Sequence, residues 1–160
     1  MKSDGPMKHF ILAFLLAIIC YVFFYYNIED RRTRKGPWEI TFTNDVSGNP
    51  ELIINQPKLA ITNAQITFTN QRAGTAFRPT TLAFNQPRQV PYPVPLGACV
   101  FMDTTFLPGT VTLQLFNHEI ELIPRVLKID GQEHPWLSES TITLHPTSGK
   151  AAPANHSQAE

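Results

Sequence analysis

Residues Phe10 to Tyr26 read FILAFLLAIICYVFFYY, an unbroken apolar run of 17 residues. As a helix it would extend roughly 25 Å, the lower end of what crosses a bilayer. Nothing else in the chain approaches it. Tyr21, Tyr25 and Tyr26 gather at its far end, where aromatic side chains favour the lipid headgroup level. A cleaved signal peptide would need small residues just after the apolar core, and Val22 to Ile28 contains none. A lipoprotein site at Cys20 would need a small residue before it, and Ile19 stands there. The run therefore predicts an uncleaved anchor over residues 10–28, with the lipid bilayer as its partner.

The flanking charges pull in two directions. Lys2 and Lys8 precede the run; Arg31, Arg32, Arg34 and Lys35 come after it. Counted literally, the positive-inside rule keeps the larger part of the chain in the cytoplasm. A short basic head before an apolar run is also how exported chains begin. The chain beyond the basic cluster is low in charge and rich in Thr, Asn, Gln and Pro. The reading adopted is a single-pass protein of the cell membrane with its C-terminal domain extracytoplasmic.

Charge divides with the anchor. The chain holds 13 basic and 13 acidic residues, yet Gly36 to Glu160 carries 7 basic and 10 acidic, a net of −3. A mildly acidic domain behind a basic collar is not drawn to phosphate backbones, so no nucleic-acid partner is expected. The organisation read from these shifts is an N-terminal tail (1–9), the anchor (10–28), a basic juxtamembrane linker (29–36), a folded domain (37–145) and a disordered C-terminal tail (146–160).

Thirteen of the 14 prolines fall after residue 36. Interior proline breaks helices and central strands, so the domain must be built from short pieces. Those pieces alternate. Trp38, Ile40 and Phe42 oppose Glu39, Thr41 and Thr43; Ala64, Ile66 and Phe68 oppose Gln65, Thr67 and Thr69. Period two marks half-buried strands. Glu51 to Gln56, Leu82 to Phe84, Ala98 to Met102 and Thr141 to Leu144 are weaker strand candidates. A hairpin is expected from Val111 to Phe116 and Glu119 to Ile123 around a two-residue turn, Asn117-His118, with Phe116 opposite Glu119. Val111, Leu113, Leu115, Ile120 and Leu122 then share one apolar face. Asp130-Gly131 is a further turn. Pro87 to Gly97, with four prolines, is expected to run extended over the surface. Seven or more short strands without a helix predict an all-β domain: a β-sandwich, Ig-like or a similar small antiparallel sandwich or barrel. Its expected core includes Trp38, Phe42, Phe68, Phe101, Phe106 and Leu115.

Catalytic signatures are missing: there is no G-x-S-x-G elbow, no H-E-x-x-H, no P-loop and no glycine-rich dinucleotide turn. The chain is read as a non-enzyme without a cofactor. Glu119 and Glu121 share a strand face and are read as its solvent side. His118 is expected in a turn, and His134, His145 and His156 at the surface. Cys99 and Met102 are soft donors of the kind that hold Cu(I). Cys99 to Gly109, a C-x-x-M close to Pro108-Gly109, is similar to copper-delivery proteins for terminal oxidases, which would imply metal handling. A second cysteine of the kind such sites use is missing, and strand alternation sends Cys99 and Met102 to opposite faces. A buried thiol and a core thioether are the preferred assignment. Trp136, in a loop after His134-Pro135, and Tyr92, in the proline segment, are candidate rings for a sugar or peptide.

The chain is thus expected to be a membrane-anchored, non-catalytic interaction or assembly module with a protein partner in an envelope complex. A carbohydrate-binding module or a copper-handling protein is the alternative.

Overall fold

A computed structural model describes residues 6–74 and 77–146, so the expected C-terminal tail (146–160) lies outside the described residues from 147 onward. The chain separates into Met1–Arg34 and Lys35–Glu160. In the first, the apolar run lies within helix α1 (Pro6–Thr33), which continues through part of the stretch expected as linker. Arg31 and Arg32 in its last turn oppose the negative end of the helix dipole. Its apolar side chains, Phe10, Leu12, Phe14, Phe23 and Tyr26 among them, are exposed along its length. Among the described residues this is the one helix long and apolar enough to cross a membrane.

The second unit is a β-sandwich. In chain order its strands are β1 (Glu39–Asn44), β2 (Pro50–Gln56), β3 (Ile61–Phe68), β4 (Thr80–Ala83), β5 (Tyr92–Val94), β6 (Gly97–Asp103), β7 (Thr110–Leu115), β8 (His118–Ile123), β9 (Val126–Ile129), β10 (Gln132–His134) and β11 (Thr141–Leu144). A single 3₁₀ turn, Pro57–Leu59, comes after β2. One sheet has the order β11-β3-β2-β1-β4, the other β10-β9-β8-β7-β6-β5. The pairings are antiparallel except β11, which lies parallel to β3 with Thr141 opposite Gln65 and Leu144 opposite Phe68.

Alternation explains the core. Trp38, just before β1, and Ile40, Phe42, Leu52, Ile54, Ile66 and Phe68 of the first sheet are buried. Facing them are Val111, Leu113, Leu115, Ile120, Leu122, Leu127 and Ile129 of the second. Each such side chain stabilises the fold by about 1.5–3 kcal/mol when removed from water. The proline segment supplies β5 at a sheet edge, where Pro93 leaves no central ladder bond unmade. Gln56 is the notable polar side chain inside, 1% exposed. Its Nε2 donates to the carbonyl oxygens of Gly36 (3.0 Å) and Pro37 (2.7 Å), and its Oε1 accepts from the Lys58 N–H at 3.1 Å. It fixes the entry of the chain into the sandwich.

Two local expectations are corrected. The β7–β8 hairpin turns at Phe116-Asn117, not Asn117-His118; both turn residues have positive φ (49° and 68°), as a type I′ turn requires. Leu115 therefore lies opposite His118 and Leu113 opposite Ile120. The slip moves the register by an even step, so the same apolar residues still face inward. The other correction concerns Phe101 and Phe106, expected in the core but 50% and 60% exposed. Along β6, Cys99 opposes Leu113 while Phe101 opposes Thr112, so Val100 is an extra residue, a β-bulge. Past it the alternation inverts: Phe101 points out, and Met102, opposite buried Val111, points in. Phe106 lies in the loop between β6 and β7.

Candidate functional site

The bulge decides the chemistry of the β5–β6 edge. Cys99 and Met102, expected on opposite faces, share the inner side of the sheet because one unpaired residue stands between them. Tyr92 pairs opposite Cys99 on β5 and joins them. The Tyr92 hydroxyl donates weakly to Met102 Sδ at 3.9 Å, and the Cys99 thiol donates to the Phe101 carbonyl oxygen at 3.5 Å. The guanidinium of Arg88 stands 5.5 Å from the Tyr92 ring centroid, a cation–π contact. Beside this trio is a cavity of about 20 Å³ lined by Phe84, Gln86, Arg88, Tyr92 and Met102 among others. That is room for one water molecule and no organic ligand.

Burial sets the protonation here. It pushes the Tyr92 phenol well above its ordinary range, with Cys99 beside it adding to the rise. Burial likewise pushes the Cys99 thiol up, opposed by its contacts with Tyr92 and Phe101. Phenol and thiol are therefore neutral at physiological pH. Cys99 is a poor nucleophile in this setting, since the thiolate is the reactive form. Among the described residues no group of three or more His, Cys, Asp or Glu side chains is placed to hold a metal ion.

Trp136 lies elsewhere. Tyr92 sits on an edge strand of the six-stranded sheet, whereas Trp136 comes after β10 at the opposite edge, so the two rings do not form one platform. Trp136 is half-buried against the core. Its ring stacks on Trp38 with centroids 5.2 Å apart, and its Nε1–H donates to the Ile123 carbonyl oxygen at 2.8 Å. Trp38 Nε1–H in turn donates to the Gly109 carbonyl oxygen at 3.1 Å. Both indoles have satisfied donors, which suits a structural stack.

Sequence reasoning missed a polar cluster at the other end of the sandwich. His118, expected at the surface, is 4% exposed. Its Nδ1 lies 2.7 Å from Asp130 Oδ2 and its Nε2 lies 3.1 Å from the His145 carbonyl oxygen. Asp130 Oδ1 also accepts the Glu119 N–H at 2.9 Å, and His145 Nδ1 meets Thr69 Oγ1 at 2.8 Å. The cluster ties the β7–β8 and β9–β10 turns to the end of β11. Asp130 beside Gly131 was the visible sign, because Asx residues at turns bond neighbouring backbone. No protein-family model matches the chain, no curated protein matches it, and no solved structure matches it.

Proposed function

We propose that the chain is a single-pass membrane protein whose β-sandwich serves as a non-catalytic interaction or assembly module of the cell envelope. The observation that carries this reading is α1: a helix of bilayer length whose apolar side chains are exposed from Phe10 to Ile28, in a chain that continues into a β-sandwich. Exposing that much apolar surface to water is strongly unfavourable, and lipid removes the cost. The groups with chemical potential, buried Cys99 and His118 and half-buried Tyr92, are engaged within the sandwich, which supports a binding role over a catalytic one. In this reading the domain faces away from the cytoplasm.

The test is recovery of the full chain in mild detergent after in vivo crosslinking, with a C-terminal alkaline phosphatase fusion to report sidedness. Reproducible partners and an active phosphatase are expected. A chain that crosslinks only to itself defeats the assembly reading, and an inactive phosphatase with a fluorescent cytoplasmic reporter reverses the sidedness.

Copper handling is a second reading. The bulge favours it by bringing Cys99 and Met102 to one side, and the raised thiol opposes it, because Cu(I) binds thiolate. Anaerobic Cu(I) titration of the full chain, with Cys99→Ser beside it, rejects this reading when no stoichiometric uptake is seen.

A further inference from the structure

We propose that the end of the sandwich bearing Phe106 and Leu137 rests in the headgroup layer of a bilayer. This rests on the anchored reading above and adds a lipid surface as the partner of a defined face.

Strand direction identifies the face. β1 starts at Glu39, opposite Asn55 near the end of β2 and Ala83 at the end of β4. Hydrogen bonds draw further loops to the same end. Gln56 holds Gly36 and Pro37, Trp38 holds Gly109, Trp136 holds Ile123, and the Ser138 hydroxyl donates to the Ala60 carbonyl oxygen at 2.7 Å. The loops at 57–60, 104–109, 124–125 and 135–140 therefore converge where the chain enters the domain.

The chain itself limits how far this end can stray. Five residues, Arg34 to Trp38, separate the end of α1 from β1. Fully extended they span roughly 18 Å. For an anchored helix this caps how far β1 can lie from the helix end, and the five helical residues beyond Ile28 add roughly 8 Å to the reach.

Composition fits that layer. The large exposed apolar side chains of the sandwich, among the described residues, are Val46, Phe101, Phe106 and Leu137. Phe106 and Leu137, 60% and 59% exposed, lie on two separate loops of this end. Lys58 and Arg125 are exposed at this end with Glu39, Asp103 and Glu139, so these five charges sum to −1, close to neutral. A nearly neutral surface with projecting apolar side chains suits an interface where such side chains insert at headgroup depth. Asp45 and Asp130 mark the opposite end, at the β1–β2 and β9–β10 turns, together with Val46.

Tryptophan placement makes the proposal testable in the full chain. α1 contains no tryptophan, so Phe106→Trp and Val46→Trp each add one indole to the Trp38–Trp136 background, at opposite ends. Both positions are exposed, so neither change disturbs the core. The variants are reconstituted into phosphatidylcholine vesicles containing lipid brominated high on the acyl chain. The indole at 106 is expected to lose at least about half its added emission and the one at 46 almost none, since only a ring at headgroup depth reaches the bromine. Leu137→Trp is expected to behave like 106. Equal quenching at 46 and 106, or none at 106 and 137 in protein that floats with the vesicles, overturns the docking and leaves the anchor standing. That second result is also what a protein occupant of this face would give. Protein that does not float at all overturns the anchored reading, and the docking with it.

Discussion

Replacing Gln56 by leucine tests whether the entry of the chain into the sandwich is held by one buried amide. The side chain is 1% exposed and makes three hydrogen bonds, at 3.0, 2.7 and 3.1 Å. Each buried bond contributes about 1 kcal/mol net, so losing three costs about 3 kcal/mol. Leucine has nearly the same volume and gains about 1 kcal/mol as a more apolar buried group, leaving a net loss of about 2 kcal/mol. Glutamate keeps the shape but faces the Gly36 and Pro37 oxygens with a carboxylate instead of a donor. The expected order of stability is therefore the parent, then Gln56→Leu, then Gln56→Glu. Urea unfolding of the full chain in detergent, monitored by tryptophan emission, reads this directly, because both tryptophans belong to the sandwich and none to α1. The midpoint should fall with an unchanged slope. A Gln56→Leu variant within about 0.5 kcal/mol of the parent, or a Gln56→Glu variant more stable than Gln56→Leu, would refute the accounting.

Four further outcomes are expected. Gly109→Ala should cost more than about 2 kcal/mol in the same assay, because φ is +67° there and a Cβ would collide with the Asp103 carbonyl oxygen; a neutral effect would show that the β6–β7 loop shifts freely. With Cys20→Ser removing the other thiol, alkylation of Cys99 by iodoacetamide should track denaturant-induced unfolding, since the thiol is buried and held protonated; rapid labelling of the native chain would contradict this. Acid stability should fall below about pH 4, because the Asn49 side chain and neighbouring backbone N–H groups hold Asp45 below its ordinary range, and Thr105 does the same for Asp103. A lowered carboxyl contributes above its unfolded value and loses that contribution as pH falls through its folded value, so Asp45→Asn should flatten the acid limb. Glu51 acts in the opposite sense, raised first by burial and then by the Asp45 charge, so Glu51→Gln should stabilise the domain at neutral pH. An unchanged acid limb in the first variant, or a loss of neutral-pH stability in the second, would contradict these assignments.

The sandwich was legible because its signal is local. Ile40 and Phe42, or Leu113 and Leu115, declare an inward face by alternation alone, and the structure buries all four. What escaped were features that insert or remove one residue. Nothing in Gly97 to Asp103 marks Val100 as the extra residue, yet that residue exposes Phe101 and brings Met102 beside Tyr92. The turn at Phe116-Asn117 was hidden by preference: phenylalanine rarely takes positive φ, and here its ring lies 5.2 Å from Phe68, a contact formed only in the folded chain. His118 shared that error, moving from a surface turn to the buried start of a strand. Its partners lie on other elements, Asp130 in the β9–β10 turn and His145 after β11, and long-range pairing leaves no local trace.

The stack of Trp38 on Trp136 and the parallel docking of β11 join the first and last segments of the sandwich. A ribosome delivers those segments in sequence, so β3 waits with a bare hydrogen-bonding edge until the final strand arrives. Completion of the sandwich therefore waits on the emergence of β11. A transcript cut short before residue 136 would release a chain with Trp38 unroofed and a strand edge open to neighbouring copies.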